Sequence, residues 1–322
     1  MWKPWKLASW IAVACLAWSI GYIYNARYGG ELSWLRMMYE QKMALADQVK
    51  GPRRVLTTGG SGAHYTVDAQ LMEKELGIPV INLGLDGPPG LDVILSSMSG
   101  KIRRGDIVVL IPEYLILLDE HGFGDRAVPF SMAIGHPEFV EKMPPKQIAE
   151  NLLILGSPTL RSLTKSTVDI VEKGKMTGYY SDPVSDHGDP TVLKQRGSVK
   201  WWQMKINSSI SKHAIERISQ FRQEVEAKGA TLVLALPWVY ASTDEKTVGN
   251  VKKTAQELAK IAPLIYDKKS FDIKTDSSLF ADTHYHLNQQ GRQLRTRELV
   301  EQLKPIIAAK HIKPNSTSKQ PQ

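Results

Sequence analysis

A glycine-rich turn carries the residue best suited to nucleophilic chemistry. The segment TTGGSGAHY follows a short β-rich run, so Ser61 stands where a strand gives way to a helix. Glycines permit a tight backbone path at such a turn, and a helix N-terminus offers free N–H groups to a developing oxyanion. A Gly-rich turn with a serine N-cap is also a common structural feature, so this segment alone does not establish catalysis.

A second reactive cluster lies near the C-terminus, in LFADTHYHLNQQGR. It places Asp282, His284, His286 and Asn288 in a loop just before a helix. An unassisted serine hydroxyl is scarcely ionised at neutral pH, so a nucleophilic serine needs a neighbouring base. An imidazole is such a base, and a carboxylate can orient it and stabilise its cation. These residues could therefore complete a catalytic triad with Ser61.

Three segments together resemble the sequence blocks of SGNH (GDSL-like) hydrolases. TTGGSGAHY resembles the first block, NLGLDG the second block with its glycine, and DTHYHLNQQGR the last block, in which Asp and His precede Leu-Asn and Gly. The similarity is strongest over residues 53–114 and 230–303 and is closest to the DltD-like, membrane-anchored branch associated with cell-surface polymer acylation. The resemblance implies Ser61 as nucleophile, His286 as general base and Asp282 as its partner.

The resemblance also implies an oxyanion hole, with one departure from the family pattern. The amides of Ser61 and Gly84 would form it, and the third block of the family usually adds an Asn side chain. Here that strand ends in IPEY, with Glu113, and a carboxylate donates only when protonated. Either Asn82 or another group substitutes, or the hole is smaller, and one missing donor costs about 2.7–4 kcal/mol.

The spacing of the last block is a second departure. The aspartate stands four positions before His286 instead of the usual three, and His284 lies between them. We predict that His286 is the base and that His284 faces substrate or has a structural role. A zinc site of Asp282 and the two histidines is an alternative that leaves the Ser61 block unexplained. No metal or cofactor is therefore predicted.

Several other side chains, Glu113 among them, are candidates for substrate contact. His64 could approach the site from the first helical turn after Ser61, although a surface or capping role is favoured. We expect Asp86 to be a turn residue rather than a second acid. Aromatic residues flank an irregular stretch and could stack on sugar rings, although plain packing is the simpler role. They are Tyr179, Tyr180, Trp201 and Trp202.

Alternating strand and helix patterns predict an α/β fold around these motifs. Nearly all-apolar runs such as GDIVVLIPEY and TLVLALPW are typical of parallel strands buried on both faces. The resemblance makes this a three-layer, flavodoxin-like SGNH hydrolase fold. We expect a membrane anchor (1–27), a juxtamembrane helix (28–50), an SGNH-like domain (51–310) with an insertion at about 119–200, and a disordered tail (311–322).

An uncharged apolar run near the N-terminus predicts a transmembrane helix. From Leu7 to Tyr24 the chain carries no charge, and at about 1.5 Å per residue this run nearly spans a ~30 Å hydrocarbon core. Lys3 and Lys6 precede it, which predicts an N-terminus in the cytoplasm and a periplasmic or extracellular body on a single-pass anchor in the inner (cytoplasmic) membrane. A cleaved signal peptide and lipoprotein processing at Cys15 are alternatives that lack convincing cleavage motifs.

Composition narrows the classes of function. The 322-residue chain has a formal net charge of +8, which suits an acidic partner. Nucleic acid is not expected, because zinc-finger spacing, an RNP-like motif and a long basic run are all missing from the sequence. The single cysteine excludes an intrachain disulfide and a multi-thiolate metal site.

The motifs and the anchor together predict an extracytoplasmic O-acyltransferase or acyl-esterase. It would act on a cell-surface polysaccharide or wall polymer through an acyl-Ser61 intermediate, and the resemblance implies a membrane-bound O-acyltransferase partner. Glu113 motivates a rival hypothesis, a catalytically silent glycan-binding or scaffolding protein of a polysaccharide modification complex. The basic charge motivates a third, a lipid-directed esterase.

Overall fold

The computed structural model describes residues 3–176, 184–193 and 202–311, and its centre is a five-stranded parallel sheet. The strands are β1 (Val55–Thr58), β2 (Val80–Asn82), β3 (Ile107–Leu110), β4 (Thr231–Ala235), β5 (Val239–Tyr240), β6 (Leu264–Ile265) and β7 (Ile273–Lys274). The central sheet has the order β2-β1-β3-β4-β6, and β5 and β7 form a separate parallel pair. This is the flavodoxin-like order, so the predicted fold class is confirmed.

Twelve α-helices surround or extend the sheet within the described ranges. They are α1 (Pro4–Arg27), α2 (Glu31–Gln48), α3 (Ser61–Thr66), α4 (Ala69–Leu76), α5 (Leu91–Ser99), α6 (Tyr114–Leu117), α7 (Ala127–Ala133), α8 (Pro145–Leu155), α9 (Leu160–Lys173), α10 (Lys212–Ala227), α11 (Glu245–Ile261) and α12 (Gln289–His311). Short 3₁₀ turns lie at Pro137–Val140 and Ser277–Leu279.

Alternate residues of each strand pack against opposite layers of helices. Leu56 and Val108 belong to a large core with α2, α5, α10 and α11, whereas Val55 and Val109 belong to a second core with α4 and α12. This alternation follows from the two-residue repeat of a β-strand. The sheet is therefore covered on both faces, as the continuous apolar runs predicted.

Helix α2 is an integral part of the larger core. Its Leu35 and Met38 are fully buried there, and Arg36 Nε donates to Ala26 O of α1 at 2.8 Å. Lys42, on the same helical face, is also fully buried. The predicted juxtamembrane helix thus packs directly beneath the sheet after a turn of only Tyr28–Gly30.

The sequence pattern of HYTVDAQLMEKELG, after β1, predicts a single helix that ends at Gly77, and the structure differs from this in one respect. The structure has two helices, α3 and α4, separated at Val67 and Asp68. The Asp68 side chain accepts a hydrogen bond from Leu71 N at 3.0 Å and caps α4, which starts the second helix on a new axis. The predicted end at Gly77 is confirmed, in a left-handed conformation with φ of 69°.

Helix α1 is long and apolar enough to cross a membrane. It contains 24 residues, and an 18-residue window within it has a mean hydropathy of 1.6, with 6% of that window buried inside the protein. Among the described residues it is the one helix that meets these criteria. The predicted anchor therefore has the length and composition of a membrane span.

Candidate active site

Ser61 is the first residue of α3 and lies at the carboxyl edge of the central sheet. Open parallel sheets bind ligands at this edge, next to the loops that follow the strands. The turn from β1 passes through Gly59, whose φ is 148°, and a Cβ on that residue would lie 2.2 Å from Ile111 O. A glycine is required there, so the TTGG motif fixes the position at which Ser61 emerges.

Glu113, just beyond β3, is hydrogen bonded to the start of α3. Its Oε2 accepts from Gly60 N at 3.1 Å, and its Oε1 accepts from Gly62 N and from the Ser61 hydroxyl, the latter at 3.3 Å. Only 3% of Glu113 is exposed. A buried carboxyl group therefore occupies two amide donors on either side of the candidate nucleophile.

The glycines of the serine block make room for this carboxyl group. A Cβ on Gly62 would lie 2.7 Å from Glu113 Cγ, and one on Gly60 would meet the carboxylate oxygens at 2.6 Å. Burial raises the pKa of Glu113, while the hydrogen bond from Gly62 N and the charge of His286 oppose this rise. The site is thus built to hold an acid that is more easily protonated than an exposed glutamate.

His286 and Asp282 form a close pair. His286 Nδ1 lies 2.7 Å from Asp282 Oδ1. The loop between them is tightly turned, because Ala281 N donates to His286 O at 2.8 Å and His286 N donates to Thr283 Oγ1 at 3.0 Å. This turn brings the carboxylate back to the imidazole across four positions, which accommodates the unusual spacing of the block.

The imidazole of His286 packs against α3. Its ring lies 4.4 Å from the ring of Tyr65, and Tyr65 stands four residues, or one helical turn, after Ser61 on the same face of the helix. The Ser61 hydroxyl donates to Glu113 rather than to His286. The structure therefore brings the pair of His286 and Asp282 to the helix that begins with Ser61.

Asp86 lies in the predicted turn, where its Oδ1 accepts from Gly87 N at 3.0 Å. Burial raises the pKa of Asp86 to about 6, the charge of Glu31 adds to this effect, and the charge of His286 opposes it. The turn residue is thus also a carboxyl group whose charge interacts with both His286 and Glu113.

The residues expected to extend the oxyanion hole have other partners. Gly84 N donates to Asn82 Oδ1 at 3.0 Å, and Asn82 Nδ2 donates to His64 O at 3.1 Å and to Asp189 Oδ1 at 3.0 Å. The Ser61 amide, in contrast, has no hydrogen-bond acceptor among the described residues. This amide is the donor left for a developing oxyanion in the arrangement described.

The expectation that His64 lies at the surface or caps a helix is wrong. His64 is 2% exposed, its Nδ1 lies 3.0 Å from Lys42 Nζ, and its ring contacts those of Trp34 and Tyr65. The cause is α2, whose Trp34 and Lys42 side chains contact this histidine and cover it. His64 is therefore an interior side chain that supports the site from below.

The sequence patterns did not predict a buried polar network around Lys42. Lys42 Nζ donates to Gly84 O, and burial lowers the pKa of this amine to about 7, opposed by the charge of Asp189. Asp189 in turn accepts from Ala69 N at 2.9 Å and pairs with Arg292 at 3.0 Å. The available signal was the lysine itself, which continues the apolar face of α2.

The two histidines of the last block point to different partners. His284 Nε2 lies 2.8 Å from Trp202 O, and its ring stacks against Tyr240 at 6.3 Å. Among the described residues no group of three potential metal ligands occurs.

Three of the aromatic residues considered for sugar stacking, Tyr179, Tyr180 and Trp201, lie outside the described residues.

Comparison with known proteins finds a weak similarity to a solved structure. No protein-family model and no curated protein sequence matches the chain. The crystal structure of the YxiM protein from Bacillus subtilis is similar with a TM-score of 0.38 and 14% identity, over 81% of this chain. The match spans about 58% of the length of that protein.

Proposed function

We propose that the chain is a serine-dependent acyl-ester hydrolase or O-acyltransferase. The observation that carries this proposal is the pair of His286 and Asp282, 2.7 Å apart, packed against Tyr65 one turn beyond Ser61. A base steadied by a carboxylate next to a serine at a helix N-terminus is the arrangement that activates a hydroxyl.

The geometry supports a two-step reaction. In the first step the Ser61 hydroxyl breaks its hydrogen bond to Glu113 and gives its proton to His286 Nε2, while Ser61 Oγ attacks the ester carbonyl carbon. The alcohol departs with that proton, which leaves an acyl-serine. In the second step His286 takes a proton from water or from a sugar hydroxyl, and the resulting oxygen nucleophile attacks the acyl carbon. The bond from the acyl carbon to Ser61 Oγ then breaks, and His286 gives its proton to Ser61 Oγ. The two acceptors separate hydrolysis from transfer.

The substrate class and location belong to the same proposal. An N-terminus in the cytoplasm would place the body on the periplasmic or extracellular side of the membrane, and α1 supports the anchor. A net charge of +8 favours an anionic cell-surface polysaccharide or wall polymer as acceptor. A membrane-bound O-acyltransferase that hands over the acyl group is the partner we propose.

The proposal is tested with the full chain in lipid nanodiscs, a chromogenic acetyl ester and a glycan acceptor. Acylated glycan supports transfer, and free acetate alone supports hydrolysis. Ser61→Ala should abolish either activity, whereas Ser219→Ala on α10 should retain it. Equal activity of the two variants would exclude Ser61 as the nucleophile. Activity on phospholipid vesicles but not on glycans would select a lipid-directed esterase.

A second candidate function is a silent glycan-binding or scaffolding protein. The contact of Glu113 with Gly60, Gly62 and Ser61 favours it, because this carboxylate holds the Ser61 hydroxyl and places a negative charge beside the point where an oxyanion would develop. A fluorophosphonate probe separates the two functions. Labelling of the wild type and not of Ser61→Ala supports the enzyme, and unlabelled but fully folded wild type supports the silent protein.

A further inference from the structure

Helix α9 turns its polar face inward and its apolar face outward. Ser162, Ser166 and Asp169 are buried against the rest of the protein. On the opposite face Leu160 is 80% exposed and Val171 is 79% exposed. Residues three, four and seven positions apart share one side of a helix. The outward stripe consists of Leu160, Leu163, Thr167, Ile170 and Val171.

A buried polar face and an exposed apolar face are the opposite of the arrangement that is stable in water. An amphipathic helix on a water-soluble surface buries its apolar stripe and exposes its polar one. The apolar surface continues onto the end of α8, where Leu153 is 70% exposed and Ile154 is 47% exposed. The hairpin of α8 and α9 (145–173) therefore presents a continuous apolar face.

The hairpin is bound to α1. Tyr24 OH donates to Ser162 O at 2.8 Å and lies 2.7 Å from Ser166 Oγ. Gly21 and Gly156 allow the two backbones to approach, since a Cβ on Gly21 would lie 2.0 Å from Gly156 O. The hairpin therefore meets the end of α1 that is nearest the body.

The end of α8 is fully hydrogen bonded without water. The last four carbonyls of an α-helix lack donors within the helix, and hydrocarbon offers no water to replace them. Here α1 supplies two of the donors. The pairs are Trp18 Nε1 to Leu152 O (2.8 Å), Ser157 Oγ to Leu153 O (2.9 Å), Ser157 N to Ile154 O (3.1 Å) and Asn25 Nδ2 to Leu155 O (2.9 Å).

We propose that the hairpin lies within the half of the bilayer nearest the body, beside α1, with its apolar face against lipid. The inference rests on α1 as a membrane span. Lipid is the occupant we favour because the apolar face adjoins the exposed apolar surface of α1 and because the end of α8 needs no water. Lys165 and Lys173 pair with Asp169 on the opposite face, where they can extend to the headgroups.

The experiment uses the full chain and its single cysteine. Cys15, exposed on α1, reports on the anchor in the wild type. A Cys15→Ser background then receives Leu160→Cys, Val171→Cys or, on the exposed start of α10, Lys212→Cys. Each protein is labelled with the fluorophore NBD and placed in nanodiscs of phosphatidylethanolamine and phosphatidylglycerol. Quenching is measured with doxyl-labelled lipid and with aqueous iodide.

Labels at 160 and 171 should be quenched by doxyl lipid as strongly as the label on Cys15. Their iodide quenching should be about fivefold lower than that of the label at 212, because lipid shields them. Strong iodide quenching at 160 and 171, with Cys15 still in lipid, would overturn the inference and leave the anchor intact. Protection from both quenchers would overturn it in favour of a second copy on this face. A Cys15 label outside lipid would exclude the anchor itself.

Discussion

Glu113 Oε1 accepts a hydrogen bond from the Ser61 hydroxyl at 3.3 Å, so a buried acid rather than an imidazole holds the candidate nucleophile. The same carboxyl group takes the amides of Gly60 and Gly62. A negative charge at this point opposes the developing oxyanion of an ester reaction. The ionisation of Glu113 is therefore expected to control the rate.

Replacing Glu113 by Gln should raise kcat/KM about tenfold, because a neutral amide removes the repulsion and can donate to the oxyanion. The gain should be largest at high pH and should shrink as pH falls through the raised pKa of Glu113, where the wild-type carboxyl becomes neutral. Ester hydrolysis between pH 5 and 9, with exposed Glu120→Gln as control, measures it. A lower rate for the variant at every pH would show that the carboxylate is needed.

The hydrogen bond between Asp282 and His286 should be essential for the base. Asp282→Asn is expected to lower kcat about 10²–10⁴-fold with little change in KM, since the amide no longer holds the productive tautomer. His286→Asn should be as inactive as Ser61→Ala, and His284→Asn should retain activity because its ring bonds Trp202. If only the His284 variant lost activity, the assignment of the base would be wrong.

Asp86 should destabilise the fold above pH 6. Burial raises its pKa to about 6, so the folded state holds the proton more tightly than the unfolded chain does. Stability is therefore lost as pH rises through that value. Asp86→Asn should gain about 1 kcal/mol at pH 7.5 and nothing near pH 4. Thermal midpoints measured by tryptophan fluorescence at pH 7.5 and pH 4 test this prediction, with Asp119→Asn as the control variant. An equal gain in stability of Asp86→Asn at the two pH values would contradict it.

Lys42 should make the stability of the fold depend on pH in the direction opposite to Asp86. Burial lowers the pKa of the Lys42 amine to about 7 in the folded protein. Between pH 7 and the ordinary pKa of lysine, this amine is therefore protonated in the unfolded chain and largely neutral in the folded protein. The folded protein becomes more stable as pH rises through this range. Lys42→Met removes the bonds to Gly84 O and His64 and should cost about 1–3 kcal/mol at pH 8. The deficit relative to wild type should widen from pH 7 to 9. Exposed Lys50→Met is the control, and a deficit independent of pH would refute the buried amine.

Local patterns were sufficient to predict the parallel sheet and the end of α4. The runs that contain Val108 and Leu232 are apolar because both faces of their strands are covered, and Gly77 ends α4 because it adopts a positive φ at little cost. The break before α4 was also present in the sequence, since Asp68 is a good N-cap, but an uninterrupted helical pattern concealed it.

Tertiary contacts explain what local patterns could not predict. The burial of His64 depends on its contacts with Trp34 and Lys42 of α2, and the contact of Glu113 with Ser61 joins two strand ends 52 positions apart. The hydrogen bonds of Asn82 depend on Asp189, which is far away in sequence. Residue type and spacing indicate what chemistry each motif favours, but only the packed chain determines which donors remain free.

The burial of α2 limits how far this protein can reach. A flexible tether would let the body sample a range of heights, whereas α2 leaves α1 after three residues and contacts Gly84 through Lys42. Lys42 lies 11 residues after the start of α2, or about 17 Å along its axis. Under the proposed function, with α1 as a membrane span, this connection would hold the proposed reaction centre near one level above the lipid. The proposal then favours polymer strands that are still emerging from the membrane over chains already released.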